Sequence, residues 1–254
     1  MIIDELMEEI YEYSSLSIRP LILKGSTPVI SFGDFTKAEI ATLGINPSPL
    51  EFVDRRGNLL GMSKKRLTDL EALGLNSGDY FLSRNKTEEI WRGCQEYFLD
   101  CKNPYWGWFG PLEELLVQSG KSYKKGSACH LDLSPIATKQ IYSKLDVADR
   151  FILVTNSRTT LIKQLINSKI KTVIFNGLTV FQTLQFAQNV DWHPLELITY
   201  KCNGRDLTSS LHMGESGTGQ IYLGWTVNIQ AFRGIKKERD DLLSRLSDWV
   251  QKKS

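Results

Sequence analysis

What the sequence lacks narrows its reading first. Its four cysteines, Cys94, Cys101, Cys129 and Cys202, include no C-x-x-C pair, and its three histidines, His130, His193 and His212, are scattered. Metal sites and disulfide frameworks need ligands or partners at characteristic spacings, so neither is expected, and the thiols read as reduced and structural. No apolar run approaches the ~20 residues that span a bilayer, and the first ten residues are acidic where a signal peptide would be basic. The expectation is a soluble, cytoplasmic protein without a membrane partner. A net charge of +2 is too small to argue for nucleic acid, so any such claim must rest on local clusters.

What is present is ordinary for a globular fold. A length of 254 residues with 41% hydrophobic and 24% charged content is enough for a full core, and one domain over residues 1–254 is expected. Residues 41–49, ATLGINPSP, organise the rest. An apolar run ends at Leu43, Gly44 and Ile45, and Asn46 is followed at once by Pro47. Proline cannot donate to a sheet ladder and keeps the preceding residue extended, so the strand should stop with Asn46 at its tip. In open α/β folds ligands bind beyond the carboxyl ends of the strands. Taken alone, the same residues also read as a simple turn.

The remaining chain supplies further strand tips. Residues 2–13 show a helical period, 28–32 read as a short strand, and 39–45 as the first central strand. Residues 51–101 form an insertion: a polar excursion, a helix over SKKRLTDLEALG, then a helix at 87–100. Lys64, Lys65 and Arg66 there are either a functional basic cluster or a solvated helix start. Residues 103–110, NPYWGWFG, precede a helix opened by Pro111, and aromatics this dense make either a buried plug or a stacking platform for a planar ligand. Residues 128–133 read as a strand ending in Ser134-Pro135, and 172–175 as one ending in Asn176-Gly177, with helices at 146–153 and 157–167 between them. Strands alternating with helices predict a mostly parallel sheet between helical layers.

The last third changes character. Asn203-Gly204 suits a tight hairpin turn, and GESGTG at 214–219 lacks the Lys-Ser/Thr of a phosphate loop, so it reads as a second hairpin tip. Residues 220–229 are expected as an edge or closing strand that delivers Asn228 and Gln230 to its end. A final helix starts at Ile235. Lys236, Lys237 and Arg239 on its first turn oppose the helix dipole, which either a bound anion or plain solvation accounts for.

Taken together these segments resemble the uracil-DNA glycosylase superfamily over about residues 39–250. GINPSP at 44–49 resembles its first motif in the form of the mismatch-specific uracil/thymine branch, and NPYWGWFGPLEELL its aromatic-glycine segment. HLDLSP at 130–135 resembles the base-reading strand, TVIFNGLTVFQTL at 172–184 the strand-helix pair after it, and NIQAFRG at 228–234 occupies the place of the last motif. The resemblance implies an α/β fold, a three-layer α/β/α arrangement around a mostly parallel four-stranded sheet with added β-hairpins. It also implies that Asn46 positions the attacking water and that Asn228 stabilises the leaving base. Gly44, Ile45, Pro47, Ser48, Tyr105, Asp132, Ser134 and Gln230 would surround that base, with Tyr105 stacked on it. Phe232, Arg233, Lys236 and Lys237 would hold the DNA, Phe232 as a wedge in the vacated stack.

The departures bear on which base is read. Ser134 replaces the family's base-reading asparagine, with Asp132 two residues earlier on the same strand face. Asp132 either accepts from the amino group of a cytosine-type base or caps local backbone. The last motif's histidine or asparagine before Pro-Ser is absent, so Asn228 and Gln230 compete for its role. The superfamily branch with an iron-sulfur cluster has a C-x-x-C pair this chain lacks, so neither a cluster nor any other cofactor is expected. The expected activity is that of a monofunctional DNA glycosylase, favoured as a monomer. Its base is damaged, mismatched or modified, with a modified pyrimidine of foreign DNA, and so an antiviral defence role, suiting the unusual reader. The alternatives are an inactive nucleic-acid-binding module of the same fold and a hydrolase of free nucleotides.

Overall fold

The computed structural model describes residues 2–14, 18–76, 86–99, 103–187 and 190–253. One six-stranded sheet runs through the molecule in the order β2-β1-β3-β6-β5-β4. The strands are β1 (Ile40–Gly44), β2 (Ala128–Asp132), β3 (Thr172–Asn176), β4 (Asp191–Cys202), β5 (Arg205–Glu215) and β6 (Ile221–Trp225). The first four in that order are mutually parallel, and β5 and β4 add antiparallel to β6. The expected four-stranded sheet is thus the parallel part of a larger one. The hairpin extends the same sheet because β5 pairs directly with β6 through Leu211 to Glu215. β6 is therefore interior, not the edge or closing strand expected of residues 220–229.

Side-chain alternation along these strands assigns the two faces. Thr42, His130 and Ile174 share one register row, and Gly44 pairs with Asp132 and Asn176 with Trp225 two residues further along the same face. That face meets α3 (Trp106–Gln118) and α7 (Lys236–Lys253): Phe109 lies 5.1 Å from the His130 ring and Trp249 6.5 Å from Trp225. The opposite row, Leu43, Leu131, Phe175 and Gly224, meets α6 (Leu178–Ala187), where Phe181 stacks on Phe175 at 5.6 Å. Gly224 is needed there, since a Cβ would fall 1.8 Å from the Phe175 ring. α1 (Ile2–Ser14), α4 (Val147–Asn156) and α5 (Arg158–Ile166) connect with α6 in that layer, and α2 (Thr87–Gln95) touches α1. The result is a three-layer α/β/α architecture with one connected apolar core. The outer edge of β2 is covered by the preceding chain, where Phe32 and His130 exchange backbone hydrogen bonds at 2.8 and 2.9 Å.

Several local expectations need correction. Residues 28–32 make one bridge, at Phe32, and no strand of their own. SKKRLTDLEALG forms turns in place of a helix. Lys65 there is mostly buried against Asp69 at 2.7 Å, and Thr27 Oγ1 donates to the Thr68 carbonyl at 2.5 Å, so long-range partners override the helical period. α3 starts at Trp106, five residues before Pro111, which lies inside it. The aromatic run is therefore the helix's first turn. The helix expected over 87–100 stops at Gln95, where Glu96 caps it and residues 96–99 turn, while Asp100 and Cys101 lie outside the described residues.

Candidate active site

The carboxyl ends of all four parallel strands open into one cavity of about 450 Å³. Asn46 follows β1, Asp132 ends β2, Asn176 ends β3, and Asn228 comes three residues after β6; all line it. Tyr105 and Trp108 of the α3 start form another wall, and Ile141 to Ser143 a further one. Nine of the residues expected around a base line this cavity: Gly44, Ile45, Asn46, Pro47, Ser48, Tyr105, Asp132, Asn228 and Gln230.

Two of these amides are held with one end engaged. Asn46 Nδ2 donates to the Ile136 carbonyl and to Thr138 Oγ1, each at 3.1 Å. A carbonyl has no hydrogen to give, so the end of the amide facing Ile136 must be its NH2, and Oδ1 is the atom left to offer a ligand. Asn228 is arranged oppositely. Its Oδ1 caps a 3-10 turn, Ile229–Ala231, by accepting from the Gln230 and Ala231 amides, and accepts from Asn176 Nδ2 at 3.0 Å. Its Nδ2 has no partner among the described residues and is the donor left over.

Asn176 explains how Asn228 and Gln230 are placed. Its Nδ2 donates to Asn228 Oδ1 and Gln230 Oε1, both at 3.0 Å, while its Oδ1 accepts from Trp225 Nε1 and the Ile229 amide. Gln230 is also used at its other end, where Nε2 donates to the Trp108 carbonyl at 2.9 Å. Gln230 is thus a strap between the β6 tip and α3, which separates it from Asn228.

Glu51 is a functional candidate that the sequence reading missed. It ends the 3-10 turn Pro49–Glu51 after the first motif, is 2% exposed, and lines the cavity. Burial pushes its carboxyl up to about 7, with the Asp132 charge adding to the rise, against the Tyr97 hydroxyl and the Arg66 charge. Tyr97 donates to Glu51 Oε2 at 2.7 Å and accepts from the Tyr105 amide at 3.0 Å, linking the carboxyl to the aromatic wall. Arg66 lies 5.0 Å over the Tyr105 ring and donates to the Asn103 carbonyl, so this member of the basic cluster braces the site. The signal available in the sequence was an acid five residues beyond Asn46, on a stretch bent by two prolines. His130, Trp108 and Asn176 were also missed, although Asn176-Gly177 repeats the polar tip pattern of Asn46-Pro47.

Asp132 stands against the first strand. A Cβ on Gly44 would lie 2.2 Å from Asp132 Oδ1 and 2.8 Å from His130 Nε2, so any larger residue there would displace these two side chains. His130 Nδ1 is held by Thr42 Oγ1 at 2.7 Å, which leaves Nε2 3.5 Å from Asp132 Oδ1.

The other expected site residues lie elsewhere. Ser134 is fully buried and accepts from Ser157 Oγ at 2.9 Å, because the chain after β2 turns down onto the α4–α5 junction. Phe232 is half-buried, 6.2 Å from the Tyr200 ring and close over Gly234, so it is not a free wedge. Arg233, Lys236 and Lys237 are exposed and do not line the cavity. Arg239 pairs with Glu114 at 2.9 Å, and Glu238 accepts from the Ile235 amide at the helix start, so part of the basic turn is neutralised by protein groups. Among the described residues no group of His, Cys, Asp and Glu is arranged to hold a metal, and no helix is long and apolar enough to cross a membrane.

No protein-family model matches the chain, and no curated protein does. What the fold and cavity define is a class: an α/β/α protein with a cavity at the converging tips of its parallel strands, the place where open α/β folds bind ligands.

Proposed function

We propose that this protein is a monofunctional DNA glycosylase, which draws a base out of DNA and hydrolyses its N-glycosidic bond. The observation that carries the reading is the placing of Asn46 Oδ1 and Asn228 Nδ2, an acceptor and a donor, in one cavity walled by Tyr105 and Trp108. A base in a duplex is beyond reach of any side chain, so it must be extruded at a cost of a few kcal/mol. Stacking on an aromatic face returns roughly 1 to 3 kcal/mol. As the bond breaks, the sugar becomes cationic and the base gains negative charge. An amide cannot take a proton at neutral pH, so Asn46 orients a water toward the sugar. Asn228 Nδ2 donates to the departing base, as donors in an oxyanion hole do.

Exposed Lys139 and Lys144 stand in the sequence on either side of the lining residues Ile141 to Ser143, which suits a nucleic acid. A modified pyrimidine of foreign DNA, and with it a defence role, is the substrate and setting that the long insertion and the absent standard base reader suit. The packing of Phe232 on Tyr200 favours one rival reading, hydrolysis of free nucleotides, which needs no wedge. The deciding experiment incubates the protein with oligonucleotides carrying different bases, then treats them with alkali and resolves them on a gel. Strand breaks at a defined base, lost in Asn46→Ala, are the expected result. Cleavage of nucleotides with all oligonucleotides intact would establish the rival.

A further inference from the structure

Among the described residues, Asp132 is the one cavity-lining side chain with a fully buried polar atom that the fold leaves without a partner. It ends β2 on the cavity wall, and its side chain is 4% exposed. Neither oxygen accepts a hydrogen bond among the described residues: Oδ2 is buried without a partner, and Oδ1 has only His130 Nε2 at 3.5 Å. The carboxyl therefore does not cap local backbone. Burying a carboxyl without donors is costly, and Gly44 and Thr42 act to keep this one where it is. Because the residue lines the cavity, what fills the cavity is placed to supply a donor.

We propose that Asp132 selects a base bearing an exocyclic amino group on its pairing edge and rejects the corresponding keto base, an inference that rests on the glycosylase reading. An amino N–H supplies the missing donor. A keto oxygen in the same place sets lone pairs against the carboxyl and leaves both acceptors unpaired, and sites built to pair a polar group reject analogues lacking it strongly.

The second carboxyl fits the same substrate. An amino base is a poor leaving group as an anion, so its departure calls for a proton. Glu51, on the same cavity, still holds its proton over a good part of the population near neutral pH. The bond from the sugar C1′ to the ring nitrogen breaks with its electron pair going to the base, and the Glu51 proton passes to the base ring. Water oxygen bonds to C1′, and the proton it sheds returns to Glu51. The products are a neutral free base and an abasic sugar, and the enzyme is restored.

The test uses matched pairs in otherwise identical single-stranded and duplex oligonucleotides: cytosine against uracil, 5-hydroxymethylcytosine against 5-hydroxymethyluracil, and adenine against hypoxanthine. Base release is measured for the full-length protein and for Asp132→Asn, whose amide presents an N–H where the carboxyl has none. The expected result is at least tenfold faster release of the amino member of a pair, and a fall of at least tenfold in that ratio in the variant. Equal release of keto and amino members by the unaltered protein overturns the proposal without any need for the variant. An unchanged ratio in an Asp132→Asn protein that melts like the parent overturns it too. No release from any oligonucleotide overturns the glycosylase reading and this inference with it, so the two failures are distinguishable.

Discussion

Glu51 illustrates how a single position sets a measurable property. Its ordinary pKa of 4.5 rises to about 7 on burial, so between those values the folded protein binds more protons than the unfolded chain. Stability from this group is therefore full below pH 4.5 and falls as pH rises to about 7, by an amount on the order of 3 kcal/mol. Glu51→Gln should remove that slope, so the variant gains stability over the parent at pH 8 relative to pH 4.5; denaturant melts at both pH values check it. Asn228 and Gln230 make a second pair of predictions. Asn228→Ala removes the free donor and should cost about 100- to 1000-fold in turnover. Gln230→Ala cuts a strap to α3 and should lower the melting temperature while costing turnover much less. If single-turnover rates fell equally in both, the distinction between donor and strap would be wrong.

The elements that build the site are short and depend on one another. β1 and β2 are five residues each, and at their ends a methyl group on Gly44 would run into the Asp132 and His130 side chains, which would have to shift. Gly44→Ala should push β1 from Asp132 and His130 and destabilise the fold by about 1 to 3 kcal/mol, a cost of overpacking read from thermal or chemical melts. The β4–β5 hairpin behaves differently. Asn203 and Gly204 both have positive φ, 52° and 74°, the geometry of a tight hairpin turn, and Glu238 accepts from both their amides. α7 is thereby tied to the hairpin by the acid on its own first turn. The sequence showed this turn plainly, because Asn-Gly is a local signal. It did not show that Glu238 closes it, because that bond joins residues far apart in the chain.

For the whole molecule, the parallel strands bring four polar tips together, and the surrounding loops decide what can approach them. If nucleic acid is the partner, affinity for duplex should fall steeply with added salt. Replacing Lys139 and Lys144 together by Ala should make that fall shallower, by about 1 in the logarithmic slope for each phosphate that a lysine no longer neutralises. A salt-independent affinity would argue for a small-molecule ligand. By itself the sequence determined the order of the central strands and of the helices between them, the hairpin turn and most of the polar strand tips, but not residues 28–32 and 63–74, since hydrophobic period and proline or glycine punctuation are properties of adjacent residues. It also showed a strand-tip asparagine before proline, Asn46. Only the tertiary structure decided that Ser134 turns away while Asp132 faces the cavity, that Phe232 lies on Tyr200, and that Glu51 is buried beside Tyr97. Those outcomes depend on packing between segments distant in the chain, and the desolvation of a carboxyl is set by every neighbour that excludes water from it, which no local pattern of residues encodes.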